Sequence, residues 1–195
     1  MNAPMLLTVL LAITVGAEAL STLAIIISIT APHRRIWPPM QANAWGQAVM
    51  LALFAISGVG GVLLGVLDRD SAPFAVWVRV GPGLALWLGG LALALWAVIT
   101  LGFAPTSGEE GPLTRRGPYG FSRNPQYVAF IAMLIGWPLL AASWLTLVAG
   151  LAGIVPLVLV PFAEEPWLRE RHGSAFDAYV RSVPRFLGLP RAKDG

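Results

Sequence analysis

The 195-residue sequence contains no cysteine. That absence excludes disulfides, cysteine-ligated zinc, iron–sulfur clusters and a thiolate nucleophile. Histidine is nearly missing too: His33 and His172 are too few for a histidine-rich metal site, and no metal is expected. Charged residues make up only 12% of the chain, against about 25% in a soluble domain. No G-x-G-x-x-G follows a strand pattern, which excludes a soluble Rossmann-type cofactor site. Internal repeats and low-complexity segments are absent as well. What fills the chain is apolar: 56% hydrophobic residues and a mean hydropathy of +0.71. The net charge of +3 invites a nucleic-acid reading. However, the basic residues flank apolar segments and form no stripe with interleaved aromatics, so the expected partner is a lipid bilayer, not nucleic acid.

Five spans follow from the apolar runs. The first extends from Met5 to about Thr30 and is broken only by Glu18. Ala17-Glu18-Ala19 resembles a signal-cleavage site, but no basic region precedes it and apolar residues continue beyond it, so the span is read as uncleaved. A second span runs from about Trp45 to Leu67, and a third from about Phe74 to Leu101 with Pro82 near its start. Residues 127–163 carry no charge. As one helix they would reach ~55 Å, nearly twice the ~30 Å hydrocarbon core. They must fold back, and Pro138 to Ser143 is the natural turn. Two helices of about 125–140 and 144–163 are predicted, the second kinked at Pro156 and Pro161. Beyond them, Ser174 and Asp177 have the spacing of a capping box, opening a short helix with Phe176, Tyr179 and Val180 on one face.

The predicted fold is therefore all-α: a polytopic membrane protein of about five transmembrane helices, with a C-terminal helical hairpin and a short helical tail. Residues 1–195 read as a single membrane domain. An odd number of spans puts the 31–43 loop, the 102–124 loop and the tail on one side. All of the 13 Lys and Arg residues except Arg69 and Arg79 lie there. The positive-inside rule makes that side cytoplasmic and the N-terminus external, in a multi-pass protein of a prokaryotic inner membrane.

Polar residues concentrate in two places far apart in sequence. One is the stretch Gly117-Pro118-Tyr119-Gly120-Phe121-Ser122-Arg123-Asn124-Pro125-Gln126-Tyr127, which enters the fourth helix. The other is Glu164-Glu165-Pro166-Trp167-Leu168-Arg169, which leaves the fifth. A hairpin of these helices would bring both to its cytoplasmic mouth. Pro125 at a helix start leaves free N–H groups at a positive dipole end, suited to a carboxylate. Arg123 and Asn124 add donors. Paired carboxylates suit an ammonium or ribose hydroxyls, and Tyr119, Phe121, Tyr127 and Trp167 could stack on a purine or face a sulfonium. Carboxylate, ammonium, sulfonium, ribose and adenine together make S-adenosylmethionine.

The same residues resemble the signature of the isoprenylcysteine carboxyl methyltransferase and phospholipid methyltransferase superfamily. Its pattern is Gly-x-Tyr, then Arg-His-Pro-x-Tyr or Asn-Pro-x-Tyr, a helical hairpin, then Glu-Glu and a closing segment. Here these are Gly117-Pro118-Tyr119, Arg123-Asn124-Pro125-Gln126-Tyr127 and Glu164-Glu165, followed by Leu168, Gly173, Phe176, Tyr179 and Arg181. The resemblance covers about residues 112–188. It implies S-adenosylmethionine as cofactor, with contacts at Tyr119, Arg123, Asn124, Tyr127, Glu164 and Glu165. Glu164, Glu165 and Arg181 are the expected catalytic residues, on an amphipathic, lipid-like or isoprenoid-linked acceptor. Residues 102–195 would then hold the cofactor loop, hairpin and tail, and residues 1–101 three preceding transmembrane helices. Asn124 stands where the carboxyl methyltransferases have His, which tilts the reading toward the phospholipid N-methyltransferases; Asn cannot titrate and serves only in hydrogen bonding.

Outside this pattern, Arg181 and Arg185 are the tail arginines expected to partner Glu164, Glu165 or an acidic head group. Arg169, Arg171, Arg191 and Lys193 read as anionic-lipid contacts. Glu18, near mid-span, is a functional suspect or a carboxyl hydrogen-bonded to Ser or Thr. Gly61 and Gly65 form a GxxxG read as helix packing. Two other classes remain open. Sterol reductases share a similar membrane fold but bind NADPH, and the 102–124 loop lacks a dense basic cluster for a 2′-phosphate. A non-catalytic transport or assembly protein would use Glu18 to line a path.

Overall fold

A computed structural model describes residues 2–38 and 44–188. Among them five long helices carry the fold: α1 (Ala3–Thr30), α2 (Ala44–Leu67), α3 (Val76–Leu101), α4 (Pro125–Ala141) and α5 (Trp144–His172). A short α6 (Ser174–Ser182) follows. No strand occurs among the described residues. Four of the helices are long and apolar enough to cross a membrane, and α4 is a shorter apolar helix. Large apolar side chains such as Ile13, Val59, Ile99 and Leu151 point outward, as suits lipid contact and not water. The chain is an all-α, multi-pass integral membrane protein.

Inside α3 the register widens to a π-turn at Arg79–Gly83. Pro82 has no N–H to donate and its ring crowds the carbonyl one turn back, so the backbone shifts to the looser spacing. The α3–α4 seam is closed by glycines: a Cβ on Gly136 would meet Trp87 N at 2.6 Å, and one on Gly90 would meet Ala129 O at 2.7 Å. Small residues let these backbones meet where lipid offers no hydrophobic drive. Gly61 and Gly65 serve helix packing as expected: Gly65 of α2 seats the Trp137 indole of α4, whose Nε1 donates to Gly61 O at 3.0 Å.

The α4–α5 turn falls where the charge-free run implied. Ala142 takes a left-handed conformation (φ 51°), and Ser143 caps α5 by accepting from Thr146 N. Asp68, at the end of α2, accepts from Ser143 Oγ (2.6 Å), Ser71 Oγ (2.8 Å) and Leu145 N (3.1 Å). Burial raises its carboxyl, but these three hydrogen bonds outweigh burial and hold it below the usual aspartate value. A depressed folded value means the contribution of Asp68 is complete above about pH 4 and is lost as the pH falls through it. Asp68→Asn should accordingly lower the melting temperature at neutral pH and lower it less in strong acid, once the carboxylate is protonated. Melts of detergent-solubilised protein at both pH values check this.

Two local expectations need correction. Helix α5 does not stop before Glu164; it runs on through Pro156, Pro161 and Pro166 to His172. Each proline removes only one intrahelical bond, and the actual stop is Gly173, whose φ of 53° favours glycine. The Ser174–Asp177 capping box does not form, because Gly173 occupies the cap and no side chain caps α6. Asp177 instead pairs with Arg169 at 2.8 Å.

Candidate functional site

The end of the bundle opposite Asp68 holds the polar clusters. After Arg116 the chain makes a tight helical turn at Gly117–Gly120, which buries Pro118 and Tyr119. It then enters α4, with Pro125 as first helical residue. Both arms of the α4–α5 hairpin thus end at one mouth, and a cavity of about 120 Å³ opens there. Its wall includes Tyr119, Arg123, Asn124, Tyr127, Glu164 and Trp167. The cavity so collects five of the six residues expected to touch the cofactor; Glu165 is the sixth.

Glu164 and Glu165 point different ways. Glu164 faces the cavity, and its Oε1 accepts from Tyr127 Oη at 2.6 Å and from Trp37 Nε1 at 2.8 Å. Glu165 is buried and turned to the tail. It accepts from Arg123 Nη2 at 2.7 Å, and from Arg185 Nε at 2.8 Å and Nη2 at 2.7 Å. Those bonds raise the Arg185 guanidinium further above its ordinary value, against the opposing effect of burial. Arg185 also lies over the Phe162 ring at 4.1 Å.

Arg123 and Asn124 were expected as ligand donors, yet most of their donors are spent on the chain itself. Arg123 Nη1 donates to Val183 O (2.6 Å) and Val180 O (3.2 Å), and its backbone N to Pro184 O (2.9 Å). Asn124 Nδ2 donates to Arg185 O (2.9 Å). Together they strap the tail across the start of α4. Arg123 Nε is buried and has no hydrogen-bond partner among the described residues, which leaves one cationic donor over in a residue of the cavity wall.

Helix α6 packs beside the site, and its Tyr179 lines the cavity. Phe176, Tyr179 and Val183 pack with Leu113 and Leu168. Tyr179 Oη donates to Tyr119 O at 2.7 Å, and the Arg115 guanidinium lies 5.6 Å over the Tyr179 ring. Arg115 also donates to Ala175 O, and Glu110 pairs with Arg171. Burial pushes the Tyr119 and Tyr179 phenols well above their ordinary value, so both stay protonated donors.

Arg181, expected beside the carboxylates, is exposed on α6. The residue that meets Glu165 is Arg185, four positions on, because the chain leaves the helix at Val183 and turns back. His172 is half-buried and lines the cavity. Sequence reasoning missed Trp37 altogether. Glu18 lies elsewhere: it lines a separate cavity of about 30 Å³ with Thr14, Ser57, Thr146 and Gly150. Gly150 precedes Glu164 by about 21 Å along α5. Metal-ligating clusters are absent among the described residues.

These elements define a class: a helical multi-pass membrane protein whose transmembrane hairpin closes on a half-buried carboxylate at one membrane face. The family model for phospholipid methyltransferases matches residues 78–175, half of the chain. The chain belongs to that family, and so to the membrane methyltransferase superfamily that the motifs resembled. It is also similar to the steroid 5-alpha-reductase DET2 of Solanum lycopersicum, 31% identical over 115 residues. That match takes in 57% of this chain and 43% of the reductase, so the chain spans less than half of that relative's length. No solved structure gives a significant match.

Proposed function

We propose that this protein is an S-adenosylmethionine-dependent methyltransferase acting on an amphipathic, lipid-like acceptor, with the cavity at the hairpin mouth as its cofactor site. The observation that carries the reading is that one cavity wall joins Tyr119, Asn124 and Gln126 at the start of α4, and Glu164. The residues fit such a cofactor. The first turn of α4 offers N–H groups without helical partners at a positive dipole end, matched to a carboxylate. Glu164 supplies a carboxylate for an ammonium or for ribose hydroxyls, since both bonds it accepts fall on Oε1 and leave Oε2 unused by them. Tyr119 and Trp167 offer flat faces for a purine. S-adenosylmethionine, when bound, supplies an electrophilic methyl group.

The protein's part is to orient, exclude water and manage one proton. Tyr179 of α6 forms part of the cavity wall, and a walled site is proposed to keep a nucleophile poorly hydrated. A carboxylate acceptor needs no base; an amine or thiol must lose a proton, and Glu164, a carboxylate in the cavity wall, is the group proposed to take it. Glu165 we assign to holding the tail, in place of the cofactor contact expected from its motif. Isoprenylcysteine-like carboxylates and phospholipid amines are the two acceptor classes proposed. We also place the cavity on the cytoplasmic side, because the loops and tail around it carry most of the basic residues.

The likeness to a steroid 5-alpha-reductase favours a second reading, an NADPH-dependent membrane reductase. Against it, Arg123 is the one Arg or Lys among the described residues lining the cavity, and its charge is engaged by Glu165. A 2′-phosphate would need a freer basic group.

The acceptor class is tested with radiolabelled S-adenosylmethionine, offered with membrane lipid extract and separately with short water-soluble amines, thiols and acids. Label should enter the lipid fraction. Efficient methylation of the soluble compounds with none in lipid would overturn the lipid reading and spare the methyltransferase one.

A further inference from the structure

Trp37 lies outside the family-matched residues, in the α1–α2 connection, and yet it reaches Glu164 across 127 positions of sequence. Its placement is fixed from below. Ser28 Oγ, buried in α1, accepts from Ile36 N at 3.0 Å and Trp37 N at 3.1 Å while donating to Ala24 O at 2.7 Å. The ring is 3% exposed, packs with Ile25, Met50 and Val160, and meets Phe54 edge-on at 5.9 Å. A tryptophan held this way has one polar atom to satisfy, and that N–H is aimed at a carboxylate in the cavity wall.

We infer that Trp37 is a positioning residue for Glu164, through which the N-terminal helices set the geometry of the cofactor site. The inference rests on the methyltransferase reading and names a determinant that its motifs do not contain. The geometry states the reason. Trp37 Nε1 and Tyr127 Oη converge on the same oxygen, Oε1, from two separate elements, the α1–α2 connection and α4. A carboxylate pinned at one oxygen by two donors has its plane fixed, and Oε2 is then presented in one direction. With Trp37 lost, the single bond from Tyr127 would let the group rotate. The orientation that suits an ammonium or a ribose hydroxyl would then be one of several.

Simple packing is the competing explanation, since Trp37 belongs to the core cluster of α1, α2 and α5. The two differ in what Glu164 does to the effect. Packing costs the same whether residue 164 is charged or not; positioning matters only while the carboxylate is there to be positioned.

The test is a double-mutant cycle on the full-length detergent-purified protein, with S-adenosylhomocysteine affinity measured by calorimetry. Trp37→Phe removes the N–H and shrinks the ring. A second variant with 3-benzothienylalanine at position 37 removes only the N–H, so a folding defect from lost volume does not obscure the result. Each should weaken binding roughly tenfold, the effect of one hydrogen bond to a charged group. In the Glu164→Gln background the same changes should weaken it by less than about twofold. Equal losses in both backgrounds, or wild-type affinity in the benzothienylalanine protein, would overturn the assignment of Trp37 and leave the methyltransferase reading standing. Wild-type protein that binds no S-adenosylhomocysteine would instead overturn that reading and this inference with it.

Discussion

Glu165→Gln is expected to loosen the C-terminal tail and lower the stability of the whole protein by about 3 kcal/mol. The carboxylate joins two guanidiniums, and the side chains of Glu165 and Arg123 are only 11% and 8% exposed. Arg185 is 32% exposed, so solvent screens its share and the estimate sits at the lower end for a broken buried pair. A neutral amide of the same size isolates charge from volume. Without it Arg123 and Arg185 face one another uncompensated, and the bonds from Arg123 to Val180 and Val183 lose the anchor that orients them. Trypsin should then cut after Arg181 or Arg185 in the variant under conditions that spare the wild type, and the melting temperature should fall in parallel. A tail as protected as in the wild type would show that the ion cluster does not hold it.

Glu164→Gln is expected to do the reverse. The amide keeps an oxygen for Trp37 and Tyr127, so the fold should survive. The negative charge facing the cavity disappears, at a cost of one charge-assisted hydrogen bond to the ligand. That amounts to about 1.5–3 kcal/mol, or roughly ten- to a hundredfold in affinity for S-adenosylhomocysteine. Neighbouring carboxylates therefore separate cleanly by experiment, one through ligand affinity and the other through tail protection. Unchanged affinity in Glu164→Gln protein, measured by calorimetry, would remove Glu164 from the site.

The helices were legible because lipid imposes a simple rule of long uncharged runs, and the hairpin because residues 127–163 are too long for one crossing. The meeting of Tyr119, Asn124 and Glu164 followed from that hairpin. What escaped has local physical causes. The end of α5 was placed too early because Glu164-Glu165-Pro166 looks like a terminus, although carboxylates at a helix's membrane exit can stay helical and one proline costs one bond. Arg181 and Arg185 both read as partners of the carboxylates, and the choice between them depends on how the chain turns after Val183, which no periodicity encodes. Ser174 and Asp177 had capping-box spacing, but glycine with positive φ one residue earlier took the cap. Trp37 gave no signal, since a single indole in a Pro-rich loop is uninformative until α1 and α5 are packed together.

One titration reaches the centre of this account: calorimetry of the purified wild-type protein with S-adenosylhomocysteine and, separately, with NADPH. The cavity around Glu164 is expected to bind S-adenosylhomocysteine and to leave NADPH without measurable heat. Binding of NADPH with none of S-adenosylhomocysteine would contradict it and make the likeness to the steroid 5-alpha-reductase the better guide.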